Sequence, residues 1–442
     1  MPHRFSPRVA LVSVLTFAVT VGVGLPASAS IVDAGEYYID LYKIDDYHDQ
    51  GIDGTGVTVA IIDAGINTAV PALQGADLTV MPDSLCRDES GDLQKVNTDD
   101  LHVASHGTNI ALKILGDGKG YPGQDGLTGV APGASVLFYG FGVDIEDPCY
   151  DSDGANNYYI ADAVAAGIVD AVDNGARIIS MSFAIGGSQA LTDALTYAIS
   201  RGVVVAVSTS NDTDDLGINE TFNFFNGVLG VGAFGPGGKP ALDSDGQPNM
   251  TQFIDVVAPG VDVALQGDDG AWDRQRIGSG TSYATPITVG NLALAMQKTP
   301  AATNNQILQL LIHNTDVESP HEPYYDPTFV NGYGSVDTIS LLSDDPLQYP
   351  DTNPFITEDG EPTPAQLELT PASTPSPSAS ASAVSTPDPT PSASPSATPT
   401  PTDDATSTAW PWPLVIAIVA LVVIAGIVVT VVVVRRSQKE SS

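Results

Sequence analysis

The chain has 442 residues, room for two or three average domains, but its composition is uneven and only about 300 residues carry the pattern of a packed core. Acidic residues outnumber basic ones 53 to 16, giving a formal net charge of −37. So acidic a surface argues against nucleic acid and anionic lipid as partners and favours a soluble, wet setting.

Both ends read as targeting segments. Residues 1–29 open with His3, Arg4 and Arg8, continue as an apolar run over 9–25 and close on Ala27-Ser28-Ala29, which predicts a secretory signal peptide cut after Ala29. Near the other end, residues 414–434 are apolar and uncharged over a length that crosses a ~30 Å hydrocarbon core as a helix. Trp410 and Trp412 precede this run, and Arg435, Arg436 and Lys439 follow it. The positive-inside rule therefore leaves residues 435–442 in the cytoplasm and everything between signal and span outside the cell. In that oxidising setting the two cysteines, Cys86 and Cys149, are expected to form a disulfide.

Between the ends, the alternation of elements is that of a parallel α/β sheet. After the turn cluster 51–56, residues 57–62 (VTVAII) form an uninterrupted apolar run expected to be a strand buried on both faces, with Asp63 at its carboxyl end. Residues 67–101 read as an acidic loop. Ser105 then caps a helix whose first turn holds His106. Further strands are expected at 135–140, 177–182, 203–207, 228–231 and 254–257, with helices at 158–174 and 189–200. Next comes the loop Gly278-Ser-Gly-Thr-Ser282, a helix running to about Lys298 with Pro286 in its first turn, and a helix at 304–313. The pattern predicts a three-layer, doubly wound, mostly parallel sheet in one domain over residues 30–343. From 344 to 409 the chain is dominated by Pro, Ser, Thr and Ala and reads as a disordered stalk ahead of one C-terminal transmembrane helix.

Four residues stand where such a sheet places chemistry. Asp63 and Asn211 follow strands, while His106 and Ser282 open helices. A neutral imidazole can take the proton of a serine hydroxyl, and a carboxylate on its other nitrogen fixes the tautomer and stabilises the imidazolium. An asparagine amide beside a helix N-terminal N–H can hold the developing oxyanion. Each element alone is as easily a turn, a cap or a surface histidine. In the order Asp, His, Ser they make a nucleophile, a base and an orienting acid.

The blocks around these residues, VAIIDAGI at Asp63, SHGTNIA at His106 and GTSYATP at Ser282, resemble those of the subtilisin-like serine peptidases. GVAPGASV (129–136), VVAPGV (256–261) and GYGSVD (332–337) are similar to structural segments of that family, so the resemblance spans about 37–342. It implies Ser282 as nucleophile, His106 as general base then acid, Asp63 as its partner and Asn211 as oxyanion donor. It also implies that a peptide substrate adds in extended form between Ser182-Phe183-Ala184 and Ser208-Thr209-Ser210.

Departures from the family pattern are Ala64 after the aspartate, Asn109 and Leu112 after the histidine, and Tyr283 and Ile287 after the serine. Ser210 stands where a glycine usually lines the primary specificity pocket, and the SFAIGG segment is longer than usual, which implies a narrowed pocket. The short arm before the first strand leaves no room for a folded propeptide. Signal, arm, peptidase-like domain, stalk, span and basic tail together resemble the mycosins, membrane-anchored subtilases associated with type VII secretion, which adds a secretion-system membrane complex to the expected partners. A structural subunit of such a complex, with proteolysis secondary, is the alternative function. Calcium is common in the family, and Asp151-Ser-Asp153 and Asp243-Ser-Asp245 are acidic fragments, but neither completes a ligand loop. No metal site or cofactor is assigned.

Overall fold

A computed structural model describes residues 30–367, apart from 145–146, 151–159, 212–221, 223–224, 252, 317–319, 359 and 364. Contacts divide the chain into two units, Met1–Thr374 and Pro375–Ser442, and all described residues belong to the first. The signal segment 1–29, the stalk beyond 367, the apolar run 414–434, the tail 435–442 and the acidic fragment 151–154 lie outside the described residues. Among the described residues no helix is long and apolar enough to cross a membrane.

Three short helices, α1 (Ile31–Gly35), α2 (Tyr37–Tyr42) and α3 (Ile44–His48), precede the first strand. Then follow β1 (Thr58–Asp63), β2 (Leu78–Val80), α4 (Leu101–Leu115), β3 (Ser135–Gly140), α5 (Ile160–Asp173), β4 (Ile178–Met181) and α6 (Gln189–Ser200). The next strands are β5 (Val204–Ser208), β6 (Leu229–Gly235), β7 (Lys239–Pro240) and β8 (Val256–Pro259). A hairpin of β9 (Val263–Asp268) and β10 (Ala271–Gly278) leads into α7 (Thr281–Lys298), α8 (Asn304–His313) and α9 (Thr338–Ser343).

The strands β2-β3-β1-β4-β5-β6 lie side by side in that order and are parallel throughout; β8 continues the parallel pairing beyond β6, and only the two-residue β7 runs antiparallel. Because β3 lies on one side of β1 and β4 on the other, the strand order reverses at β1, and crevices at such a point open beyond the carboxyl ends of the strands. Alternate residues of each strand feed two cores. Val59, Ile61, Phe138, Ile178 and Val204 face one cluster with α4, α7 and α8, whereas Ala60, Ile62, Tyr139, Ile179 and Val205 face the other with α5 and α6. This is the expected three-layer architecture.

Four local expectations are corrected. Helix α4 begins at Leu101, capped by the Asp100 carboxylate on the His102 N–H, so Ser105 is not its cap and His106 lies in its second turn. Pro286 is the sixth residue of α7, past the first turn. The excursion 67–101 contains a short 3-10 turn and strand β2, held on β3.

The fourth correction concerns the start of the stalk. Residues 344–367 are not free chain: Phe355 joins one core and Leu367 the other. The Asn226 amide donates to the carbonyls of Thr357 (3.0 Å) and Pro362 (3.1 Å), and Gln309 donates to Thr352 (2.9 Å). Composition hid this strap because a few apolar anchors and polar staples hold a Pro-rich chain without any periodic pattern. Cys86 and Cys149 are disulfide-bonded, as expected.

Candidate active site

Asp63 ends the central strand β1 and is buried, so its carboxylate must be satisfied from within. The Ala64 N–H donates to its Oδ1 (2.8 Å), and Nδ1 of His106 donates to Oδ1 (2.9 Å) and Oδ2 (3.0 Å). That pairing fixes the tautomer and leaves Nε2 of the neutral ring as an acceptor. Gly107 makes the approach of α4 feasible: a Cβ there would stand 2.4 Å from the Gly65 carbonyl oxygen and 3.1 Å from Asp63 Oδ1. Burial pulls the His106 pKa down, but the charge and hydrogen bond of Asp63, with the charge of Asp144, outweigh it and hold the pKa above its ordinary value.

Ser282 is the second residue of α7, behind Gly280 as N-cap, where backbone N–H groups have no intrahelical acceptor and the helix dipole is positive. Pro286 has no N–H to give the Ser282 carbonyl, and the Ser182 hydroxyl donates to that carbonyl instead (3.0 Å). The side chain of Ser182 thus supports the backbone of Ser282. Among the described residues no hydrogen bond joins the Ser282 hydroxyl to His106, although both line one cavity.

Asn211 follows β5, and its carbonyl oxygen accepts the Thr281 N–H (2.9 Å). Only the oxygen end of the amide can accept, so the –NH2 end is turned away from Thr281 and is left as a donor. The Thr281 hydroxyl donates to the Thr209 carbonyl (2.5 Å), which ties the start of α7 to the end of β5.

One cavity of about 470 Å³ is lined by all the residues singled out for catalysis and substrate: Asp63, His106, Asn211 and Ser282, with Ser182, Phe183, Ala184, Ser208, Thr209 and Ser210. Phe141 and Asp144 also line it and were missed. Phe141 directly follows β3, so the strand-end rule that selected Asp63 could have found it. Its ring meets Phe183 edge to face at 5.4 Å, and Phe183 meets Phe222 likewise at 5.6 Å, giving the cavity an apolar wall. A larger cavity of about 600 Å³ lies between Arg87, Tyr139 and Asp170; it holds no histidine to serve as a base.

The acidic fragment at Asp243 uses its carboxylate locally, accepting the N–H groups of Asp245 (3.1 Å) and Gln247 (2.8 Å) in its own turn. Chemically, the main cavity combines a hydroxyl at a helix N-terminus, an imidazole of fixed tautomer with a carboxylate behind it, and an amide donor. That set suits acyl transfer.

The folded part of the chain is similar to known proteins. The chain is 32% identical over 279 residues to fervidolysin of Fervidobacterium pennivorans, an alignment covering 58% of this chain but only 37% of that protein. It is 30% identical over 302 residues to subtilisin NAT of Bacillus subtilis subsp. natto, covering 67% of this chain and 69% of the other. The crystal structure of fervidolysin superposes with a TM-score of 0.52 at 27% identity, covering 72% of this chain and 48% of that one. MycP1 from Mycobacterium smegmatis shares the fold with a TM-score of 0.51 at 22% identity, over 75% of this chain and 89% of that one. Residues 54–336, more than half of the chain, match the profile of the subtilase family, and the chain belongs to that family.

Proposed function

We propose that this protein is a serine endopeptidase that cleaves exported or surface proteins from the outer face of a cell membrane. The observation that carries the reading is the buried Asp63 carboxylate paired with His106 in the cavity that also holds Ser282 and Asn211. In this mechanism Nε2 of His106 takes the proton of the Ser282 hydroxyl as Oγ attacks the scissile carbonyl. The oxyanion forms against the Ser282 N–H and the Asn211 amide, and Asp63 stabilises the imidazolium. The imidazolium then protonates the leaving amine, and water, activated by the same ring, hydrolyses the acyl-enzyme.

Covalent labelling by a fluorophosphonate tests the reading. We expect labelling of the wild type and none of Ser282→Ala, and a correctly folded wild type that does not label refutes it. The extended substrate would lie between Ser182-Phe183-Ala184 and Ser208-Thr209-Ser210, with Ser210 narrowing the primary pocket. A peptide-library profile is therefore expected to be poor in Phe and Tyr before the scissile bond; dominance of those residues there contradicts the pocket assignment.

The signal segment 1–29, the stalk, the apolar run 414–434 and the basic residues after it support a single-pass protein with its catalytic domain outside and its C-terminus in the cytoplasm. That layout also favours a second reading, a subtilase-fold subunit of a secretion-type membrane complex in which proteolysis is secondary. Full complementation of a deletion strain by Ser282→Ala would select it, and failure to complement would select the peptidase.

A further inference from the structure

We propose that Arg276 determines specificity on the leaving-group side of the cleft, by recognising an acidic side chain within the two residues that follow the scissile bond. The proposal rests on the peptidase reading above.

The direction follows from the chemistry. The acyl half of the substrate would lie between the segments 182–184 and 208–210, with its carbonyl oxygen toward Asn211. The imidazole must hand its proton to the leaving nitrogen, so the chain beyond the scissile bond passes on the far side of His106 and Ser282 from those segments. There the Tyr283 ring packs beside the imidazole, with centroids 6.0 Å apart and planes tilted by 41°. The Arg276 guanidinium lies close enough to the Tyr283 hydroxyl for its charge to act on it. Arg276 belongs to β10, the strand that runs directly into the nucleophile loop, and its Nη1 lies 2.9 Å from where a Cβ on Gly278 would stand. A glycine there lets the guanidinium fold back over the loop that carries Ser282.

The guanidinium is a positive charge in a strongly acidic molecule. In a chain of net charge −37, Lys119 pairs with Asp117 and Arg274, two residues before Arg276, pairs with Asp269. No carboxylate among the described residues pairs with Arg276, which is only half-buried. A guanidinium has five donors in a planar fork, which can meet a carboxylate side by side. A lysine at the same substrate position would face this cation without a compensating partner.

The test uses matched quenched peptides that differ only in the two residues after the scissile bond, carrying Glu, Gln or Lys. With the wild type, kcat/KM is expected to rank Glu above Gln above Lys, by roughly fivefold per step at low salt. The spread should shrink as salt screens the pair. Arg276→Gln should flatten the ranking and Arg276→Glu should invert it. Equal rates for the three peptides with the wild type overturn the proposal even if neither variant folds, and so does a ranking that survives Arg276→Gln. Labelling of Ser282 by fluorophosphonate without the Glu preference defeats this proposal alone, whereas absence of both labelling and cleavage defeats the peptidase reading together with it.

Discussion

His106 and Asp63 set the pH behaviour of the site through two opposed effects. Burial favours the neutral imidazole, while the Asp63 charge and hydrogen bond, with Asp144, favour the charged form and prevail, raising the pKa above the ordinary 6.5. The base must be neutral to accept the serine proton, so kcat/KM is expected to fall on the acid side with a midpoint above 6.5. In Asp63→Asn the larger raising contribution is lost, and burial, the largest single effect, outweighs the smaller pull of Asp144 that remains. The midpoint, followed by proton NMR of the imidazole in a Ser282→Ala background, should then drop below 6.5, and in the active background kcat should fall by about 10⁴-fold as the tautomer is no longer enforced. An unchanged midpoint would mean that Asp63 does not govern the ring. In the proposed mechanism Asn211 acts at a different stage. Asn211→Ala removes an amide donor whose orientation is fixed by the Thr281 N–H, and should lower kcat by about 10²- to 10³-fold with little change in KM.

At the scale of elements, the hairpin β9–β10 is joined to α4 through a fully buried amide. Asn109 donates to the Gln266 carbonyl (2.9 Å) and accepts the Gln266 N–H (2.8 Å), while also donating to the Ser105 carbonyl (2.8 Å). Asn109→Leu leaves both backbone groups of Gln266 buried and unpaired, at a cost of about 3 kcal/mol, which urea unfolding should report as a lower midpoint with an unchanged slope. Because His106 lies three residues earlier on the same helix, the peptidase rate should fall as well. This staple was not readable from the sequence, where Asn109 was only a departure from a family pattern: its partner lies 157 residues away and the pairing is tertiary. Asp63 and Ser282 were readable because they sit at a strand end and a helix start that local pattern defines, and His106 because it stands in the block SHGTNIA near the beginning of an apolar helix. The start of α4 was misplaced for the opposite reason: Ser105 has the right chemistry for a cap, but Asp100 holds the position and the apolar face continues back to Leu101. The hairpin was missed because β10, with burial alternating between half and full exposure, offers no clean apolar face.

At the scale of the whole molecule, the strap 344–367 decides where the folded domain ends. It runs from α9 back across α8 to the turn before β6, where Asn226 binds it through both ends of its amide: Nδ2 to Thr357 and Pro362, and Oδ1 from the Thr357 N–H (2.8 Å). Phe222 meets Phe183 of the proposed substrate channel edge to face, its carbonyl accepts the Phe225 N–H (3.0 Å), and Phe225 bridges to Glu361 of the strap, so the strap connects to one wall of the cavity as well as to the core. Phe355 and Leu367 are 7% and 1% exposed, and together their burial contributes about 4 kcal/mol. Stranding the buried Asn226 amide adds roughly 1–3 kcal/mol. A chain ending at Ser343 should therefore melt about 10 °C or more below one ending at Thr374, given roughly 2–4 °C per kcal/mol for domains of this size. Phe355→Ala/Leu367→Ala in the full chain should reproduce most of that loss without moving either terminus. If the strap is an integral part of the fold, the shortened chain should also show a raised KM for extended peptides, since Phe183 loses the support of Phe222. Equal melting temperatures for the two lengths would return residues 344–367 to the stalk.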